Sequence, residues 1–208
     1  MQIHGHTLQA AIVDLDGTMV DTLGDFDAAL NTVLADLRLP AVGRAFIART
    51  VGKGSEHLLT KTLAEVGAPA TLYDQAWLRY QHHYLQCNGQ HSAVYPGVQD
   101  ALQGLSQAGV HLACLTNKPL SFAKPLLKAK GLDGFFKHVF GGDSFERKKP
   151  DPLPILKTCE ALGTAVANTL MVGDSSNDAQ AAHAAGCPVV LVTYGYNHGQ
   201  PVQETPAA

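Results

Sequence analysis

Residues 10–22 read AAIVDLDGTMVDT, an apolar run that stops abruptly at Asp14 and Asp16, one residue apart and followed by Gly17. Four apolar residues in a row, bounded by a turn signal, have the length and composition of a strand buried on both faces. Ending such a strand in two neighbouring carboxylates is costly unless a cation or an anionic reaction partner is expected there. The stretch therefore predicts both the central strand of a sheet and the chemical centre.

Working outward, Leu23, Phe26, Leu30, Val33, Leu34 and Leu37 recur at three- and four-residue intervals, the period of an amphipathic helix, which Pro40 and Gly43 break. A second helical pattern follows Ser55 and is stopped by Gly67-Ala68-Pro69; a third carries Tyr73, Trp77, Tyr80 and Tyr84, whose aromatic stripe reads as helical core. Residues 20–91 thus read as all helix. From Tyr95-Pro96-Gly97 onward, helices over 98–107, 120–130, 153–162 and 177–185 alternate with apolar strands over 110–115, 138–140, 169–172 and 189–192. Alternation of this kind predicts a parallel sheet covered on both faces, with the helical block inserted into an α/β domain made of residues 1–19 and 92–208. The tail from Gly195 is expected to be loose at its end.

The chain of 208 residues suffices for one core and a small insertion. A net charge of −3 with 46% hydrophobic and 16% charged residues gives no electrostatic reason to expect nucleic acid or an anionic membrane. Cys87, Cys114, Cys159 and Cys187 lack CxxC spacing and read as free thiols. The opening MQIHGHTLQA lacks an export signal, and no apolar run approaches membrane-spanning length, so the expected place is the cytoplasm. His57, His82 and His83 have no metal-ligand spacing.

Ligands of open α/β sheets bind beyond the carboxyl ends of the strands. AAIV ends at Asp14, HLACL at Thr116 and TLMVG at Asp174, while Lys149 follows the remaining internal strand. In order, DLDGTMVDT, LTNK, KKPDP and VGDSSND resemble the four signature motifs of the haloacid dehalogenase superfamily in its phosphatase branch, and the helical block matches that family's inserted cap. YGYNHG and GGDSFERKKPDPLP resemble its phosphoglycolate phosphatase group in particular. The implied fold is a Rossmann-like, doubly wound parallel sheet with an inserted all-helical cap, residues 20–91.

The resemblance implies a Mg²⁺-dependent phosphomonoester hydrolase. Asp14 would be the nucleophile, giving an aspartyl phosphate, and Asp16 the general acid and then the general base. Asp14, Asp174 and the Asp16 main-chain carbonyl form the hard oxygen set that Mg²⁺ prefers, with Asp178 as a supporting acid that reaches the metal directly or through water. Thr116 and the amides around Asn117 would hold the phosphate, Lys149 would supply a fixed positive charge, and Gly17 would allow the tight turn. In the loop Val51-Gly52-Lys53-Gly54, Lys53, with Arg49 just before it, is a candidate for a substrate carboxylate.

The expected partner is a small phosphorylated metabolite, 2-phosphoglycolate first, and the expected assembly a monomer or homodimer. The competing readings are a phosphatase for another metabolite, a β-phosphoglucomutase-like phosphomutase, and a silent phosphate-binding module. A dehalogenase or a phosphonoacetaldehyde hydrolase, with Lys53 as its cap lysine, fits less well, since those branches lack an acid at the place of Asp16.

Overall fold

The computed structural model describes residues 2–3 and 6–205. A short antiparallel pair, β1 (Gln2–Ile3) and β2 (His6–Thr7), leads into β3 (Ala10–Val13), the strand predicted by the opening run. After β4 (Val20–Asp21) come four helices, α1 (Leu23–Asp36), α2 (Arg44–Thr50), α3 (Ser55–Glu65) and α4 (Tyr73–Cys87). The chain returns through β5 (Ala93–Val94) and continues as α5 (Val98–Gln107), β6 (His111–Leu115), α6 (Leu120–Ala129) and β7 (His138–Phe140). It closes with α7 (Leu153–Leu162), β8 (Thr169–Gly173), α8 (Ser176–Ala185) and β9 (Val189–Leu191).

The main sheet has the order β7-β6-β3-β8-β9, and every neighbouring pair is parallel. β3 lies in the middle with all four side chains buried. Alternation sends Ala11 and Val13 to one face, where they pack with Leu102 of α5 and Ala123, Leu126 and Leu127 of α6. Ala10 and Ile12 face the other way, onto Ile155 and Cys159 of α7 and Ala181 and Ala182 of α8. Continuous hydrophobicity, rather than alternation, is what such double coverage requires. A truncation such as Ile12→Ala is expected to cost ~2–5 kcal/mol of stability.

Helices α1–α4 have a separate core of Phe26, Leu30, Val33, Ile47, Leu58, Leu59, Tyr80 and Tyr84, joined by Phe122 of α6 and by Tyr196. Tyr80 and Tyr84 are fully buried, with centroids 5.4 Å apart, and Tyr84 lies 4.9 Å from Phe122. The aromatic stripe is interior, as its spacing predicts. Two features were not legible in the pattern. Helix α2 follows directly on Gly43, where the punctuation reads as a loop. The antiparallel pair β4–β5 forms a neck only two residues long on each side, too short for any periodicity.

The neck is braced by Asp25, fully buried in the first turn of α1, whose carboxylate accepts the amides of Gly89 at 2.8 Å and His91 at 2.7 Å. Lys130 ties the same segment to the α/β layer through the carbonyls of Gly89 and Ser92. All four cysteines are free. Among the described residues no helix is long and apolar enough to cross a membrane. The expected loose end, residues 206–208, lies outside the described residues, but the earlier part of that tail is packed: Tyr196 and Asn197 are buried.

Candidate active site

The parallel register places the ends of β3, β6 and β8 side by side, with Val13 opposite Cys114 and Val172. Asp14, Thr116 and Asp174 therefore emerge together, and Lys149 reaches them from the loop before α7. Its Nζ lies 3.1 Å from Asp14 Oδ1 and 2.7 Å from Asp178 Oδ1, and donates to the Leu115 carbonyl at 2.7 Å. Lys148, its neighbour, instead faces Glu56 at 3.7 Å with 41% of its side chain exposed, so the two lysines are cleanly separated.

Carboxylate oxygens of Asp14, Asp174 and Asp178 lie within 4.8 Å of one another. Asp178 is saturated: Oδ1 takes Lys149, and Oδ2 accepts the amides of Asp174 and Ser175 and the Ser175 hydroxyl in a capping box at the start of α8. Asp174 accepts Thr18 Oγ1 at 3.1 Å and the Tyr196 amide at 2.6 Å. Asp14 Oδ1 is buried, and the polar group close to it is the Lys149 ammonium at 3.1 Å. Gly17, at φ +84°, passes so close to Asp174 that a Cβ there would lie 2.3 Å from its Oδ2.

This crowding shows in the electrostatics. Burial pushes the Asp14 carboxyl up to about 7, against the pull of Lys149 and with a further push from Asp178 and Asp16. Burial, then Asp178 and Asp14, holds Asp174 well above the usual carboxylate range. Burial by itself would lower Lys149, but Asp14 and Asp178 raise it. Of these three clustered carboxylates the one ammonium pairs with Asp14 and Asp178 only, and a hard divalent cation is the partner that this oxygen-rich donor set fits.

Asp16 faces away from this cluster. Its Oδ1 accepts Thr22 Oγ1 and Lys118 Nζ, both at 2.8 Å, and its Oδ2 accepts Lys118 Nζ at 3.0 Å. Asn117 donates its side-chain amide to the Lys149 carbonyl at 2.8 Å and to the Gly52 carbonyl at 2.9 Å, and Asn177 donates to the same Gly52 carbonyl at 3.1 Å. A narrow cleft lies between Asp14, Asp16, Thr116, Asn117 and Lys118 on the sheet side and Phe26, Val51, Gly52, Gly54, Ser55 and Leu58 on the helical side.

Asp14, Asp16, Thr116, Asn117, Lys149, Asp174 and Asp178 are thus brought to one place. Arg49 and Lys53 are not. Arg49 lies over the Phe46 ring and pairs with Glu65 at 3.6 Å, about half exposed, and Lys53 is exposed; neither lines the cleft. The reason is local. The Val51–Gly54 loop turns its main chain inward, with Gly52 and Gly54 at positive φ, and Lys53 points to solvent. Lys118, Asn177 and Tyr196 also join the site; each stands inside one of the motifs LTNK, VGDSSND and YGYNHG, but no residue spacing points to its partner.

The sequence profile of haloacid dehalogenase-like hydrolases matches residues 11–192. A phosphoglycolate phosphatase of Thiobacillus denitrificans is 42% identical over 200 residues, covering 95% of this chain and 88% of the relative. One from Nitrosospira multiformis is 41% identical over the same shares of both chains. Among solved structures, a predicted phosphoglycolate phosphatase from Haemophilus somnus 129PT superposes with a TM-score of 0.93 at 32% identity, covering 96% of this chain and 92% of that one.

Proposed function

We propose, for a chain that belongs to the haloacid dehalogenase-like hydrolases and is a phosphoric monoester hydrolase, a Mg²⁺-assisted, two-step hydrolysis of 2-phosphoglycolate through an aspartyl phosphate on Asp14. The observation that carries the mechanism is Asp14 itself: a buried carboxylate at the strand end whose Oδ1 faces a fixed ammonium at 3.1 Å. In the first step an Asp14 oxygen forms a bond to phosphorus while the ester P–O bond breaks, and Asp16 gives a proton to the departing oxygen. In the second, Asp16 takes a proton from water as the water oxygen bonds to phosphorus, releasing phosphate and restoring Asp14.

Lys149 holds its charge beside the transferring group, and Thr116 with the amides at the start of the following turn binds the phosphoryl oxygens. Asp14, Asp174 and the Asp16 carbonyl would hold Mg²⁺, with Asp178 bracing Lys149 and the turn after Asp174. When bound, the cation neutralises charge on the phosphoryl oxygens. Residues 20–91 act as a cap over the cleft, hinged at the neck and excluding bulk water from the intermediate. A soluble cytoplasmic monomer or homodimer acting on a small metabolite is the setting this reading assumes.

The substrate rests on the named activity of the relatives. Its test is phosphate release from a panel of phosphorylated metabolites with and without Mg²⁺. 2-Phosphoglycolate is expected to have the highest kcat/KM, and activity is expected to vanish on chelation. 2-Phosphoglycolate ranking far below the others would rule it out as the substrate; an isomerised sugar phosphate without free phosphate would replace hydrolysis by mutase chemistry.

A further inference from the structure

Lys118 is the second lysine inside the site, and no step above uses it. Its side chain is 1% exposed, and its Nζ spans both oxygens of Asp16. A lysine ammonium is a compact charge on a flexible stem, so on its own it fixes little. Here the stem has no freedom left, because Nζ lies 4.4 Å from the ring centroid of Phe26 and 4.8 Å from that of Tyr84. These rings come from α1 and α4 and are buried with centroids 5.4 Å apart. The ammonium is therefore held between two π faces and one carboxylate, an environment that suits a desolvated cation.

The two-oxygen contact matters for geometry. A donor on one oxygen leaves a carboxylate free to turn about its Cβ–Cγ bond, whereas donors on both, with Thr22 Oγ1 added on Oδ1, set its plane. Burying an ammonium is costly unless it is paired. A residue needed only for packing between Phe26, Tyr84 and the sheet would be served as well by leucine or methionine.

We propose that Lys118 is the positioning residue of Asp16: boxed by Phe26 and Tyr84, it sets the orientation of the carboxylate that exchanges protons with the leaving oxygen. It thereby links that orientation to the seating of α1 and α4. The proposal rests on the acid–base role given to Asp16 above. It differs from a direct contact of Lys118 with the substrate's carboxylate, which would leave the leaving-group dependence of the reaction untouched.

Three esters separate these cases: 2-phosphoglycolate; 2-hydroxyethyl phosphate, which keeps an alkyl leaving oxygen and lacks the carboxylate; and p-nitrophenyl phosphate, whose phenolate departs without a proton. kcat/KM is measured with Mg²⁺ for the wild type, Lys118→Met and Phe26→Leu, with thermal unfolding of each. Lys118→Met is expected to lose on the order of 100-fold on both alkyl esters, the size of an acid–base contribution, and no more than about threefold on the aryl ester. Phe26→Leu keeps the lysine and removes one ring, and is expected to show the same selective pattern at roughly tenfold; it carries the comparison if Lys118→Met does not fold.

Equal losses on all three esters would make Lys118 a packing element and overturn the proposal. A loss confined to 2-phosphoglycolate would make it a carboxylate contact and overturn it equally. A wild type that releases phosphate from none of the three would remove the hydrolase mechanism and this inference together, a result distinct from either.

Discussion

The sheet edge and the helical layer meet over one cleft and contribute to it by different means. From the sheet come charged and hydroxyl side chains at strand ends: Asp14, Asp16, Thr116 and Lys118. From the helices come a carbonyl at Gly52, the main chain of Gly54, the short side chain of Ser55, and the apolar Phe26, Val51 and Leu58. One side holds the proposed reacting groups in a fixed register, and the other lines the cleft with main chain and apolar side chains. Substitutions on the two sides should therefore fail in different ways.

The largest difference is expected at Asp14. Asp14→Asn removes the proposed nucleophile while keeping its volume, and turnover should fall by on the order of 10,000-fold or more, read as steady-state phosphate release. Stability in the absence of metal should not fall, because the change removes one of three crowded buried carboxylates. A variant that lost activity only because it unfolded would show a lowered melting temperature and would break the distinction.

Next in size is the coupling of metal to protons on the sheet side. With Asp14 raised from 3.8 to about 7 in the metal-free chain, the folded state binds more protons than the unfolded state between those values. Its stability contribution is then full below the lower value and declines as pH rises through the window, in the sense opposite to a salt-bridged aspartate. The proposed Mg²⁺ site needs the ionised form, so the cation's apparent affinity should increase as pH rises through this window. Calorimetric titrations should show binding roughly tenfold or more weaker at pH 5.5 than at pH 8, with protons released on binding. Affinity independent of pH would detach Asp14 from the metal set.

The same contrast explains what the sequence discloses. Asp14, Thr116 and Asp174 were legible because each ends an apolar strand, and a parallel sheet has one chemical edge. Lys149 was legible from its place before Pro150. Lys118 and Tyr196 were not, since their partners lie far along the chain: Lys118 meets Asp16 across 102 residues, and the Tyr196 hydroxyl reaches the Thr22 amide across 174. Gly52 acts through its carbonyl, which no residue identity announces. Charge is the feature of a loop that a sequence displays, as at Arg49 and Lys53, whereas this loop meets the sheet side through the Gly52 carbonyl.

The smallest effects therefore belong to those two residues. The Arg49–Glu65 pair, at 3.6 Å and about half exposed, is of the kind worth ~0–1 kcal/mol. Arg49→Ala and Lys53→Ala should each change kcat/KM by no more than about threefold. Asn177→Ala deletes a donor to the Gly52 carbonyl without touching the carboxylate cluster, and the loss of one such hydrogen bond should cost roughly fivefold to tenfold, mainly in KM. If the loop recognises substrate through its main chain, the neutral substitution on the far side of the cleft must outweigh the removal of either charge beside it. The reverse order, with Lys53→Ala the more damaging, would mean that Lys53 swings inward once substrate is bound and that the helical side contributes a charge after all.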